Sequence, residues 1–267
     1  MNLFFYKLEQ AAQNNNTRLC VGLDPRIDKI PPPFSNHQDP IFSFNKAIID
    51  AAAPYACAFK PNFAFYEAGG IEGLSSLKKT IDYIPPEIPV IADAKRGDIG
   101  STAQAYARAI FDYFQFDAVT LNPLLGEDSI APFLSYKDKG LFILCLTSNP
   151  GAGDFQIPNN LPEQIARKVM KWNHAENCGL VVGATNPQAI GGIREIAPEL
   201  CFLIPGIGAQ GGDLENTLRF APTKQKNGYI INVSRGISQP PGEGDLAIRA
   251  AEAAARFHKA INKAKEK

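Results

Sequence analysis

Eight short β-prone runs recur along the chain, with segments able to form helices between most of them. They are "RLCVGLD" (18–24), "YACAFKPN" (55–62), "IPVIADAK" (88–95), "DAVTLNP" (117–123), "LFILCLTSN" (141–149), "GLVVGATN" (179–186), "CFLIPGIG" (201–208) and "YIINVSRG" (229–236). Residues 41–53, 101–114, 161–177 and 246–260 are examples of the intervening helices. Strands that alternate with helices imply a parallel sheet, because each crossover returns the chain to the same edge. Eight such units suit a closed barrel. An open doubly wound sheet usually has fewer strands, and its dinucleotide-binding versions carry GxGxxG after the first strand. Here the first strand ends "GLDPR". Asp24, Lys60, Asp93, Asn122, Ser148, Asn186 and Arg235 all fall at or near the C-terminal ends of the expected strands. A barrel gathers those ends around one mouth, whereas an open sheet spreads them along an edge. The expected fold is α/β: a single TIM-type (β/α)8 barrel over residues 1–267, with an additional amphipathic N-terminal helix in "MNLFFYKLEQAAQ".

At 267 residues the chain is long enough for one barrel and one core. Lys plus Arg number 27 and so do Asp plus Glu, so no net charge draws the protein to nucleic acid or to an anionic membrane. No run approaches 18 continuous apolar residues, which excludes an obvious membrane span. Cys20, Cys57, Cys145, Cys178 and Cys201 form no CxxC pair and lie mostly in or beside apolar runs. They read as free thiols of a cytoplasmic, reducing compartment. His37, His174 and His258 form neither a triad nor a zinc cluster.

"IADAKRGDIGSTAQAY" (91–106) places Asp93, Lys95 and Asp98 within six positions of an otherwise apolar strand. Side chains two apart share a strand face, so Asp93 and Lys95 point the same way, as do Lys60 and Asn62. Asp24 arrives from the first strand, and Asp98 follows the turn at Gly97. A structural ion-pair network is one reading, but burying so many charges at a functional end costs more than ordinary pairing returns. A magnesium site is another, with Asp24, Asp93 and Asp98 as oxygen ligands, although Lys60 and Lys95 would compete for the same space. A lysine flanked by carboxylates stays protonated. That disfavours Schiff-base chemistry and suits a general acid that delivers a proton to a carbanion. Carboxylates beside the reacting group also disfavour a substrate carboxylate before it departs, and ammonium groups stabilise the carbanion left behind. The pattern points to decarboxylation.

The seventh run leads into "PGIGAQGGD" (205–213) and the eighth ends in "VSRGIS". Barrels commonly hold phosphate at these two loops. Gly206 and Gly208 permit close backbone approach, Gln210 offers an amide, and Arg235 can fork onto phosphate oxygens. No Gly-Lys-Ser/Thr follows, so this is not a Walker A loop. Grip on a remote phosphate can drive closure of "TSNPGAGDF" and "PGIGAQGGD" over the reacting carbon.

Taken together, "LDPR", "FKPNFAFYE", "DAKRGDIGSTAQAYA", "NPLLGEDS", "TSNPG", "PGIGAQGGD" and "VSRGI" resemble the orotidine 5'-phosphate decarboxylase family, in particular its longer bacterial subfamily. The resemblance spans roughly residues 15–260. It implies conversion of orotidine 5'-phosphate to UMP without cofactor or metal, as the last step of de novo pyrimidine biosynthesis. By that resemblance Lys95 protonates C6, Asp93 and Asp98 flank it, and Lys60 completes the alternating charges. Asp24 would pair with Lys60 and hold the ribose. Ser148, or Thr147, would contact the base, with Asn122 among the substrate-binding groups. Arg235 and the seventh loop, with Gly206, Gly208 and Gln210, would hold the phosphate. Asp98 and Thr102 would reach into a neighbouring subunit, making a homodimer with composite sites. Shorter family members differ around "GIGAQGG", and the Pro-rich stretch 27–40 is an addition without an expected chemical role. Two rivals remain: a magnesium-dependent sugar-phosphate decarboxylase or aldol-type synthase of the same barrel group, and a noncatalytic phosphometabolite-binding barrel.

Overall fold

The computed structural model describes residues 2–207, 213–225 and 227–265. The strands are β1 (Leu19–Leu23), β2 (Ala58–Pro61), β3 (Ile91–Arg96), β4 (Ala118–Leu121), β5 (Gly140–Leu146), β6 (Cys178–Val182), β7 (Cys201–Ile204) and β8 (Tyr229–Val233). All ladders between them are parallel, in the order β2-β1-β8-β7-β6-β5-β4-β3. Two isolated parallel bridges, Phe59 to Val90 and Asn62 to Asp93, join β2 to β3 and close the ring. The expected barrel is therefore present.

Burial on both faces explains why the strands read as nearly unbroken apolar runs. Period-two alternation still sorts their side chains. Leu19, Val21, Phe59, Val119, Leu180, Phe202 and Ile231 point outward into the core shared with the helices. Cys20, Ala58, Ile91, Ala118, Phe142, Val181, Leu203 and Ile230 point inward. Helix α1 (Leu3–Asn14) joins this inner cluster through Phe4, Leu8, Ala11 and Ala12. Asn2 caps it, its side-chain oxygen accepting from Phe4 N at 2.9 Å. Phe4 meets Phe142 edge-on at 5.9 Å. It occupies space that any side chain at Gly140 would claim, since a Cβ there would lie 2.2 Å from the Phe4 ring. The amphipathic N-terminal helix thus closes the N-terminal end of the barrel.

The outer layer is built by α2 (Pro40–Ala52), α3 (Phe63–Glu67), α4 (Gly70–Tyr83), α5 (Gly100–Arg108), α6 (Ala131–Leu134), α7 (Ala152–Phe155), α8 (Leu161–Trp172), α9 (Pro187–Ile196), α10 (Leu214–Phe220), α11 (Arg235–Ser238) and α12 (Leu246–Lys265). Helix α5 continues as a π turn, Ala109–Tyr113, so the helix expected over 101–114 changes its winding partway. The helix expected to reach residue 177 stops at Trp172. There Asn173 turns its side chain to accept from Cys178 N, and Glu176 adopts a positive φ.

The stretch 27–40 makes two 3-10 turns and ends as a cap. Ile30 is buried, Phe34 packs edge-on against Phe44, and Asp39 accepts from Phe42 N while also binding Ser76 and Lys79 of α4. Its role is to start α2 and fasten it to α4. On the far side, buried Arg194 lies 3.6 Å over the Phe202 ring. It donates to the carbonyls of Ala197, Leu200, Ala221 and Gly228, tying α9, α10 and the starts of β7 and β8 together.

Candidate active site

At the C-terminal mouth, the inward alternation continues as Asp24, Lys60, Asp93, Thr120, Leu144, Val181, Leu203 and Asn232. All line a cavity of about 300 Å³. One wall is charged and the other, through Leu144, Val181, Leu203, Pro205 and Ile207, is mainly apolar. Lys95, Thr147, Ser148, Asn149, Gly206, Ser234, Arg235 and Gly236 complete the rim.

Asp93 is the hub of the charged wall. Its Oδ2 receives Lys60 Nζ at 2.6 Å and its Oδ1 receives Lys95 Nζ at 2.5 Å. Lys60 is only 4% exposed. Burial opposes its charge, but the carboxylates of Asp93 and Asp24 outweigh that cost and hold its pKa above the usual lysine range. For Asp93, burial pushes the pKa up, while Lys60 and Lys95 together overcome this and hold it well below the usual carboxylate range. Lys60 and Asp93 thus form a buried charged pair, with Lys95 Nζ on the second oxygen of the same carboxylate.

Asp24 adjoins this row without the direct bond to Lys60 that was expected. Its Oδ2 accepts from the Ser234 hydroxyl at 2.5 Å, and its buried Oδ1 has no hydrogen-bond partner. Gly22 makes room for this arrangement where β1 meets the end of β8.

Lys95 reaches its position through an interruption of the sheet. The β3–β4 register runs Ile91 with Ala118 and Ala92 with Val119, then resumes at Arg96 with Leu121. Within the bulge Lys95 has φ 47°, a left-handed conformation unusual for a side-chain-bearing residue. The neighbouring cation goes the other way. Arg96 lies between the rings of Phe63 and Tyr106, at 5.3 and 5.0 Å, and is ion-paired with Glu67.

Asp98 and Thr102 stand outside the cavity lining, at the start of α5. Asp98 accepts from Ile99 N at 2.8 Å. Asn122 is likewise outside it, its side-chain oxygen accepting from Leu124 N at 3.0 Å. Thr147 is held by Gln156, whose side chain accepts from Thr147 N at 2.8 Å and whose amide donates to Thr147 Oγ1 at 2.8 Å. Ser148 sits beside Gly183, where a Cβ would approach its backbone nitrogen to 2.7 Å. Gly206 has φ 105°, which favours glycine. Gly208 and Gln210 lie outside the described residues.

Thr120, Asn232 and Ser234 are lining residues that sequence reasoning missed. The first two continue the inward alternation of their strands: Thr120 falls two residues beyond inward Ala118, and Asn232 two beyond inward Ile230. That period was the available signal. Among the described residues, no group of three or more His, Cys, Asp or Glu side chains is placed to hold a metal ion.

Comparison with known proteins gives concordant matches. The chain is 48% identical to an orotidine 5'-phosphate decarboxylase of Dehalococcoides mccartyi, over 97% of each chain. It is 49% identical to one from Herpetosiphon aurantiacus, over 96% of each. The solved structure of Leishmania donovani OMP decarboxylase superposes with a TM-score of 0.87 at 38% identity, covering all of both chains. Residues 17–249 match the model of the Orotidine 5'-phosphate decarboxylase / HUMPS family, and this chain belongs to that family.

Proposed function

We propose that this protein decarboxylates orotidine 5'-phosphate to UMP and carbon dioxide, serving de novo pyrimidine biosynthesis. The observation that carries this reading is the placing of one carboxylate, Asp93, between two ammonium groups in a largely buried row beside a mainly apolar wall. A pyrimidine ring fits between the two walls, with its C6 carboxylate toward Asp93 and its phosphate toward Gly206 and Arg235. The C6–carboxyl bond breaks, its electron pair stays on C6, and Lys95 Nζ supplies the proton that completes UMP. Repulsion between the substrate carboxylate and Asp93 is relieved as carbon dioxide forms, and the ammonium groups meet the charge that develops on C6. The buried Asp24 oxygen without a hydrogen-bond partner supports a role in accepting from a ribose hydroxyl.

Magnesium-assisted sugar-phosphate chemistry fits this centre less well. Both oxygens of Asp93 are engaged by ammonium groups, which a metal ion would have to displace. Similarity over nearly the full length of bacterial relatives supports placing the chain in the longer bacterial subfamily. A homodimer in which Asp98 and Thr102 complete the partner's site is favoured by the exposed apolar residues around them, Ile99, Leu124 and Leu125. No helix among the described residues is long and apolar enough to cross a membrane, and the five cysteines are free, which suits a cytoplasmic enzyme.

The test follows orotidine 5'-phosphate by ultraviolet absorbance in the presence of EDTA, with Lys95→Ala as control. The expected result is conversion to UMP by the wild type and a loss of several orders of magnitude in a variant that still folds and binds nucleotide. A folded wild type that leaves the substrate intact overturns the reading, and turnover retained by Lys95→Ala overturns the assignment of the acid.

A further inference from the structure

We propose that Thr120 is a positioning residue for the reaction: its single hydroxyl sets both the backbone of Lys95 and the carboxylate that orients the Lys95 ammonium. This rests on the decarboxylase reading above.

The β3–β4 ladder is broken where Lys95 sits, and an unbroken parallel ladder would offer its N–H a carbonyl of β4. Instead Lys95 N donates to Thr120 Oγ1 at 3.1 Å, and main-chain pairing resumes one residue later, where Asn122 N donates to Arg96 O at 2.8 Å. The left-handed φ of Lys95 is a conformation that persists only where the surroundings hold it. A side-chain hydroxyl acting as the missing rung is such a hold.

A hydroxyl has one proton to give. Thr120 gives it to Asp93 Oδ1 at 3.1 Å, the same oxygen that Lys95 Nζ approaches at 2.5 Å. A closed circuit results, running from Lys95 N through Thr120 Oγ1 to Asp93 Oδ1 and back to Lys95 Nζ. Thr120 is 1% exposed, and its branched Cβ limits it to few rotamers. Lys95, by contrast, has a side chain 48% exposed, with no packing of its own comparable to that of Lys60. Its aim therefore depends on the hydroxyl and the carboxylate.

Thr120→Val removes the hydroxyl and keeps the shape and strand preference, while Thr120→Ser keeps the hydroxyl and drops the methyl. In the assay above, with circular dichroism confirming the fold, Thr120→Val is expected to lower kcat by about 10- to 100-fold, the scale of a misplaced reacting group. KM and the UMP dissociation constant should stay within about threefold of wild type, because binding is not what the hydroxyl secures. Thr120→Ser should recover most of kcat. A valine variant with unchanged kcat, a loss confined to KM, or a serine variant no better than valine would each overturn the proposal. A crystal structure of Thr120→Val tests the role independently of turnover. Departure of Lys95 from positive φ and of its Nζ from Asp93 is expected, and unchanged geometry at both refutes the role even if the wild type proves inactive on orotidine 5'-phosphate.

Discussion

Gly22 and Ser234 stand so close that a Cβ on the glycine would lie 2.6 Å from Cβ of the serine. The contact joins the upper ends of β1 and β8, and Ser234 in turn holds Asp24 at 2.5 Å. Gly22→Ala should therefore push Ser234 off Asp24. Overpacking of this kind costs about 1–3 kcal/mol. KM for the nucleotide should rise by roughly tenfold, equivalent to about 1.4 kcal/mol of binding. The double variant Gly22→Ala/Ser234→Gly relieves the clash, so urea unfolding should show most of the stability restored. A single variant with wild-type stability and KM would mean that the strands yield without cost.

The Lys60–Asp93 pair should behave as a coupled unit. Asp93→Asn strips the nearest counter-charge from a lysine that is almost wholly buried, and breaking such a pair costs about 3–5 kcal/mol. Replacing both partners, as Lys60→Met/Asp93→Leu, should cost much less, although activity is lost. The pH dependence follows from the two shifts. The raised pKa of Lys60 contributes stability in full below about pH 10 and loses it as pH rises through the folded value. The depressed pKa of Asp93 contributes above about pH 4 and loses it as pH falls through the folded value. The stability gap between wild type and double variant should be flat from about pH 5 to 9. A gap that changes steadily across that window contradicts the assignment.

Arg194 tests a purely architectural role. Arg194→Met leaves the buried carbonyls of Leu200, Ala221 and Gly228 without this donor and should lower stability by about 3 kcal/mol or more. Lysine cannot reproduce the fork and should rescue only partly. Equilibrium urea unfolding is the measurement, and near-wild-type stability in Arg194→Met would show that water or relaxation replaces the donors.

If Asp98 serves a partner's site, inactive variants should complement each other. Co-expressed Lys95→Ala and Asp98→Ala chains pair at random, half the dimers are mixed, and each mixed dimer carries one intact site. About a quarter of the wild-type specific activity is expected in the mixture. Activity no higher than that of the separate variants would place Asp98 in its own subunit's site or outside catalysis.

Much of the barrel was legible because parallel strands, buried on both faces, leave long apolar runs that polar helices and turns interrupt. The strand-end charges were legible for the same reason: a lysine or aspartate stands out against Ile91, Ala92 and Phe59. What escaped depends on long-range geometry. Asp24 meets Ser234, 210 positions away, and no local pattern announces that partner. The bulge at Lys95 was hidden because its alternation with Asp93 survives while the register against β4 does not. Thr120 looked like any β-branched strand residue. The proline-rich stretch 27–40 showed its polarity but not its work, since Asp39 acts through contacts on two helices.

The edge-on packing of Phe4 against Phe142 makes the barrel a one-ended vessel. On the proposed reaction, carbon dioxide formed beside Lys95 would leave by the mouth through which the nucleotide enters. Until it leaves, a carbanion at C6 would face recapture. In that reaction, protonation by Lys95 would then do more than finish the product: it would make the bond cleavage irreversible before the carbon dioxide leaves.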